Sequence, residues 1–324
     1  MTSAAAPGSV ADAELDKVER CLYEQDSDGN RVATVLRDTL DQLYDGQRSG
    51  RWNYDQLHKT EKTHMGTLVE INLHREFGFA DGDATDYRIA GVQVDCKFSM
   101  SRGAWMLPPE SVGHLCLVFW ANDLESAWSA GLVRVDSTKL GPPNRDGKRR
   151  LTHESRTLVR ELWPDHGRLA ENLLLHLDDA TRTRIFAARA RRGNQHGQAR
   201  INELFRSVQG RIIRRAVVAT VGQQDDFMKR VRGNGGSRTH LRPEGILVLG
   251  NQDNDPKVAA ALGLPTPKKG EFVSARVVRV EQKGDRRVAE ITGVLWALAV
   301  EGEPVAPAPE VPRKRTREQG DDVD

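Results

Sequence analysis

Cysteine is scarce in this chain of 324 residues, which holds three: Cys21, Cys96 and Cys116. An odd number with no CxxC spacing excludes a disulfide framework and argues against a zinc site, so free thiols in a reducing compartment are expected. Long apolar runs are lacking too. No stretch approaches the roughly 18 residues a membrane span requires, and Met1 to Val10 has no basic segment leading into an apolar one. A soluble, cytoplasmic protein without a membrane partner is therefore expected. Length is not lacking, because 324 residues suffice for two ordinary domains, each with its own core.

A large net charge is also absent: the formal value is +2. Along the chain the balance is uneven. Residues 1–170 hold 21 Lys and Arg against 26 Asp and Glu, residues 171–300 hold 23 against 13, and residues 301–324 hold 4 against 7. A solubilising surface intersperses both signs. A sustained arginine excess over one folded segment is instead the footprint of a phosphate-binding surface, and it points to nucleic acid.

The first dozen residues are small and polar, and the last two dozen combine proline with unpatterned charge, so both ends read as disordered. Leu36, Leu40, Leu43 and Tyr44 recur at helical spacing, and a second amphipathic run from about Lys59 carries Leu68, Val69, Ile71, Leu73 and Phe77. From Tyr87 the period becomes two. Ile89, a turn at Gly91, and then Val92, Val94 and Cys96 alternating with polar residues predict a hairpin. His114 to Trp120 and Gly131 to Val135 predict buried strands. Pro164 and Gly167 suggest a linker near the place where the charge balance turns. Beyond it the pattern predicts a leucine-rich helix (169–177), an arginine-dense helix and turn (182–194), a helix around 201–208, an ambiguous segment at 211–221, a helix over 223–232 ended by Gly233, Gly235 and Gly236, and strands at 246–250, 272–280, 288–294 and 296–300. The fold class is α/β (α+β), a mixed sheet flanked by helices followed by helices and a strand-rich tail of winged-helix type.

Asp95 and Lys97 lie two apart on the second hairpin strand, so both side chains leave the same face. Asp86 stands just before the first hairpin strand and Glu70 lies on the helix expected against the sheet. Three carboxylates and a lysine can thus converge, the set a divalent-metal phosphodiesterase needs. Oxygen ligands suit Mg²⁺, with the backbone carbonyl of Cys96 as a further donor, while the lysine can hold the attacking water and balance developing charge. D-x-K alone is weakly specific, since a solvated pair on an ordinary strand has the same spelling.

Asp86 followed by Asp95-Cys96-Lys97 resembles the PD-(D/E)XK nuclease superfamily, with Thr85 where its name has proline. Longer stretches are similar to the NaeI-type restriction endonucleases: Thr39 to Trp52, Leu57 to Phe77, Ala90 to Met100, Gly103 to Ser111, and, downstream, Arg192 to Arg206, Gln223 to Gly233, Leu241 to Ile246 and Gln252 to Pro265. The resemblance runs from about Leu22 to Pro312. It implies that Glu70, Asp86, Asp95 and Lys97 are catalytic, with Glu70, Asp86, Asp95 and Cys96 holding Mg²⁺. It also implies a homodimer of type IIE behaviour that cuts double-stranded DNA at GCCGGC or a close relative, activated by a second duplex on a C-terminal domain of catabolite-activator type. The domain layout that follows is a disordered 1–13, an endonuclease domain at 14–163, a linker at 164–170, an effector domain at 171–312 and a disordered charged tail at 313–324.

Within the basic region, Arg189, Arg191, Arg192, Asn194 and Gln195 have the chemistry for phosphate and base contacts, and Lys229, Arg230 and Arg232 form a second cluster. Both are expected to touch DNA. Leu43-Tyr44-Asp45-Gly46 matches the K-x-D-G box of ligases except at its nucleophile. Leucine cannot form the covalent adduct, and the stretch reads as a helix end with Gly46 as its cap. Two other functions stay open: a nicking repair nuclease of the same superfamily, and a DNA-binding regulator without catalysis.

Overall fold

The computed structural model describes residues 12–191, 193 and 195–314. Arg192 and Asn194 lie outside the described residues, as do 1–11 and 315–324, on which most of the expected terminal disorder falls. The chain divides into two compact units, one of residues 1–44 and 54–172, the other of residues 45–53 and 173–324. The segment 164–170, expected as a linker, belongs to the first of them. Leu162, Trp163 and Leu169 are buried in its core, so Pro164 and Gly167 shape a surface turn and not a free tether.

The first unit opens with helices α1 (Ala13–Gln25) and α2 (Asn30–Tyr44); the short α3 (Gly46–Ser49) belongs to the second unit, and α4 (Lys59–Phe77) returns to the first. Its strands are β1 (Ala80–Asp81), β2 (Tyr87–Ile89), β3 (Val92–Ser99), β4 (Leu115–Asn122), β5 (Ala127–Arg134) and β6 (Arg160–Leu162), hydrogen-bonded in that order. All neighbours are antiparallel except β3 and β4, which makes the sheet mixed. Met65, Val69, Leu73 and Phe77 recur every four residues along α4, and this stripe packs with Val94, Cys96, Leu117 and Leu132 on one face of the sheet. The opposite face carries a smaller cluster of Trp105, Leu107, Cys116, Val118, Val133 and Leu151.

The second unit adds helices α5 (Asp179–Ala187), α6 (His196–Ser207), α7 (Arg215–Gly222), α8 (Ser237–His240) and α9 (Asp255–Leu262), with strands β7 (Ile213–Arg214), β8 (Ile246–Leu249), β9 (Glu271–Val280), β10 (Val288–Ile291) and β11 (Val294–Leu298). β9 is the spine, pairing antiparallel with β7, β8 and β11 in turn, and β10 closes on β11.

Several expectations are corrected here. Leu169–Leu177 is extended and turned, not helical; Leu173 and Leu174 are buried all the same, because burial and not periodicity placed them. The 223–232 segment forms only a short 3-10 turn at Phe227–Arg230. The ambiguous 211–221 segment is both kinds of structure, β7 and then α7. The segment from Glu303 to Pro312 is tied down at Ala308, which is buried and whose N–H and carbonyl pair with the Arg242 carbonyl and Nε. The helix α9 escaped the sequence pattern, although Pro256 in its first turn and Gly263 as its left-handed cap mark both ends. Among the described residues no helix is long and apolar enough to cross a membrane.

Candidate active site

The hairpin turn between β2 and β3 consists of Ala90 and Gly91, both at positive φ (50° and 81°), the two-residue geometry whose twist matches that of the flanking strands. It sets Tyr87 opposite Val94. Val92, Val94 and Cys96 then enter the helical side of the core while Asp95 and Lys97 leave from the other face, as the period of two requires. Thr85 binds the Tyr87 carbonyl and Gln93 Oε1 through its hydroxyl (3.0 and 2.9 Å), which pins the backbone just before Asp86.

Three of the four expected residues meet. Lys97 Nζ donates to Asp95 Oδ1 at 2.6 Å, to the Cys96 carbonyl at 2.8 Å and to Asp86 Oδ2 at 3.2 Å. Asp86 Oδ2 also accepts the Cys96 N–H at 2.7 Å. Glu70 is brought near by Tyr87, whose buried hydroxyl donates to the Glu70 backbone carbonyl at 2.7 Å and ties α4 to β2. The Glu70 carboxylate makes no hydrogen bond to this set, but its titration responds to Lys97 and Asp95.

The titration of the group follows from burial and charge. Burial and a hydrogen bond with Asp95 push Asp86 up to about 6, with Lys97 opposing. Burial also opposes ionisation of Asp95, yet Asp86, Lys97 and Ser111 outweigh it and hold this carboxyl below its ordinary range. Burial would lower Lys97, but the two aspartates raise it, so the ammonium is firmly charged. Glu70 is raised by burial. The pair Asp86 and Asp95 thus has its affinities for protons driven apart, a pattern common in catalytic carboxylates.

Ser111 is the participant that sequence reasoning missed. Fully buried after Pro108 and Pro109, it donates its hydroxyl to Asp95 Oδ2. Sixteen positions separate the two residues, and no local periodicity links them.

The donor set suits a hard divalent cation. Two carboxylates and a backbone carbonyl, all oxygen, converge on one point where the Lys97 ammonium supplies the positive charge. Among the described residues no three His, Cys, Asp or Glu side chains gather closely enough to hold a metal by themselves. The third donor there is the Cys96 backbone, not a third carboxylate.

In the second unit, Arg189, Arg191 and Gln195 line one cavity of about 420 Å³ together with Gln198, Asn202 and His240 on α6 and α8. The last three were not anticipated. Lys229, Arg230 and Arg232 are not among its lining residues, and Arg230 pairs with Asp226 at 2.9 Å. Arg189 Nη1 donates to the Phe186 and Ala188 carbonyls.

A profile of the family described as "Restriction endonuclease NaeI" matches residues 16–307. The chain is 68% identical over 303 residues, 94% of its own length and 96% of the relative's, to the "Type II restriction enzyme NaeI" of Lentzea aerocolonigenes. These findings define the class: a type II restriction enzyme, a site-specific deoxyribonuclease that the class associates with a divalent metal ion. Within it, the chain belongs to the NaeI restriction endonuclease family.

Proposed function

We propose that this enzyme is a Mg²⁺-dependent endonuclease that hydrolyses both strands of DNA at a GC-rich palindrome of the GCCGGC kind. We propose further that it acts as a cytoplasmic homodimer and is activated by a second duplex bound through its C-terminal part. The observation that carries the chemistry is the convergence of Asp86, Asp95 and the Cys96 carbonyl on Lys97. Asp86, Asp95 and the Cys96 carbonyl would hold the ion, and Glu70, whose carboxylate makes no hydrogen bond to them, would have to move in from α4 to join. Bound there, Mg²⁺ would polarise the scissile phosphate and lower the pKa of a bound water.

The protein's own groups do the rest. Asp95, kept ionised by Lys97 and Ser111, presents a charged oxygen where a cation is needed. Lys97, firmly protonated, orients the attacking water and offsets the negative charge that builds on the phosphate as the P–O bond breaks. Glu70, with its raised affinity for protons, lies close enough for its charge to register at the same place.

The division of the chain into two units supports separate roles for the endonuclease expected at 14–163 and the effector module of winged-helix or catabolite-activator type expected at 171–312, with 164–170 packed into the first unit. The arginine excess of residues 171–300 and the cavity lined by Arg189, Arg191 and Gln195 support DNA binding there, with Arg192 and Asn194 and the cluster of Lys229, Arg230 and Arg232 as further contacts. The test is digestion of plasmid DNA in Mg²⁺ with sequencing of the fragment ends. Asp95→Ala should abolish cutting while retaining DNA binding, and Lys97→Ala should slow it about 10²- to 10³-fold. Normal cutting by Asp95→Ala would remove this site from the reaction; nicks in one strand would favour the repair-nuclease reading.

A further inference from the structure

A second basic site lies on the same face of the sheet as the catalytic group. Lys97 is paired with Val118, Val118 with Gly131 and Gly131 with Glu161, so these four residues form one row across β3 to β6 and face the same way. Neighbouring strands are about 4.8 Å apart, which puts Gly131 about 10 Å from the Lys97 position along that row. There a cavity of about 380 Å³ opens, lined by Arg102, Gly103, Trp105, Ser129, Gly131, Arg156 and Glu161 among others.

The chain leading out of the catalytic strand builds this cavity. Trp120 Nε1 donates to the Met100 carbonyl and Trp105 Nε1 to the Phe119 carbonyl, at 3.1 and 2.7 Å, so residues 100–105 are fastened over the sheet at both ends. Between these anchors, Arg102 lies over the Trp120 ring at 5.8 Å and pairs loosely with Glu161 at 3.5 Å, both side chains being more than half exposed. Such a pair contributes little and yields readily. Arg156 lies flat on Gly103: a Cβ at that glycine would come within 3.2 Å of Arg156 Cδ and Nε, and its φ of +75° also disfavours any other residue. Among the described residues, the Arg156 guanidinium makes no hydrogen bond or ion pair. The side chain is exposed, with its donors left over.

We propose that Arg102 and Arg156 form a phosphate subsite that grips the DNA backbone a few nucleotides from the scissile bond. The inference rests on the nuclease reading above, in which a duplex engaged at Lys97 runs on past a point about 10 Å away. Guanidinium forks match phosphate oxygens in geometry as well as charge, and phosphates recur every 3.4 Å of helix axis along each strand, so one falls within reach. Glu161 is the opposing charge, and Arg102 leaves it when a phosphate arrives. The subsite positions substrate and reads no bases.

The experiment uses the full chain, Mg²⁺ and a duplex carrying the site mapped from wild-type fragment ends, with single phosphates replaced one at a time by uncharged methylphosphonates. Arg156→Ala should weaken binding about ten- to a hundredfold and lower the slope of log affinity against log salt by about 0.9. One methylphosphonate position should weaken the wild type and leave Arg156→Ala unaffected. Arg102→Ala, at an exposed side chain, should reproduce the pattern, and Arg156→Lys should recover part of the affinity. Unchanged binding and salt slope in both alanine variants, or equal methylphosphonate penalties in variant and wild type, would overturn the subsite while leaving the nuclease intact. A wild type that cuts no DNA in Mg²⁺ would overturn the nuclease reading itself.

Discussion

Ser111 Oγ donates to Asp95 Oδ2 from a side chain with no exposure, so removing it leaves a buried carboxylate one hydrogen bond short. An uncompensated buried acceptor costs about 1–3 kcal/mol. Ser111→Ala should therefore lower stability by that order and slow single-turnover cleavage about tenfold with DNA affinity kept, because Asp95 loses the bond that aims one of its oxygens. A stable variant that cleaves at the wild-type rate would show that Lys97 alone orients Asp95. The meeting of Asp86, Asp95 and Lys97 could be expected because chemistry and strand period coincide in a short stretch; Glu70, on a helix outside that stretch, makes no hydrogen bond to them. Ser111 was not legible, because its partner is a neighbour only after the chain has folded back across the sheet.

Elements carry their own electrostatics. Asp12 caps α1 by accepting the Leu15 N–H, and it also binds Arg134 of β5 at 2.8 Å, where Glu14 joins at 2.7 Å. The hydrogen bond from Arg134 holds the Asp12 carboxyl below its ordinary 3.8, against burial. A carboxylate depressed in the folded state stabilises above its unfolded pKa, and that stability is lost as pH falls through the depressed value. Asp12→Asn keeps a capping side chain and removes the charge. It should cost about 1 kcal/mol at neutral pH, and the difference from wild type should vanish once the pH is well below 3.8, as read from denaturant unfolding at both pH values. Gly46 teaches a related lesson. Asp45, at φ 45°, takes the left-handed position after α2 that the sequence suggested for Gly46, while a Cβ on Gly46 would meet Thr220 Oγ1 at 2.0 Å. The glycine is there for close packing within the second unit, and capping is a role it does not have.

At the scale of the whole molecule, the chain passes between its two units after Tyr44, after Asn53 and after Asn172. Tyr44 and Asn172 both donate to Asp123 Oδ2, at 2.6 and 2.8 Å, and Asp123 also pairs with the fully buried Arg37. One carboxylate thus anchors both places where the chain leaves the first unit. If the C-terminal part holds an effector duplex, coupling between the sites must be reciprocal in binding free energy. A plasmid with one site should then be cut slowly and be accelerated by short cognate duplex added in trans, and Arg191→Ala should blunt the acceleration without lowering the rate at saturating effector. Cleavage rate against effector concentration is the measurement. Equal rates on one-site and two-site plasmids, indifferent to added duplex, would leave a nuclease without an effector site.

By itself the sequence determined the elements whose cause is local. The alternation of Val92, Val94 and Cys96 with Asp95 and Lys97, the stripe of α4 and the arginine excess after residue 170 are properties of short stretches or simple sums, so they survive without coordinates. Only the tertiary structure decided the rest. It drew residues 45–53 out of the first unit and into the second, left Leu169–Leu177 unwound although its leucines are buried, and brought Ser111 to Asp95 and Arg156 to Gly103. Each of these depends on contacts between residues far apart in the chain, whose free energy outweighs local preference and leaves no period behind to be read.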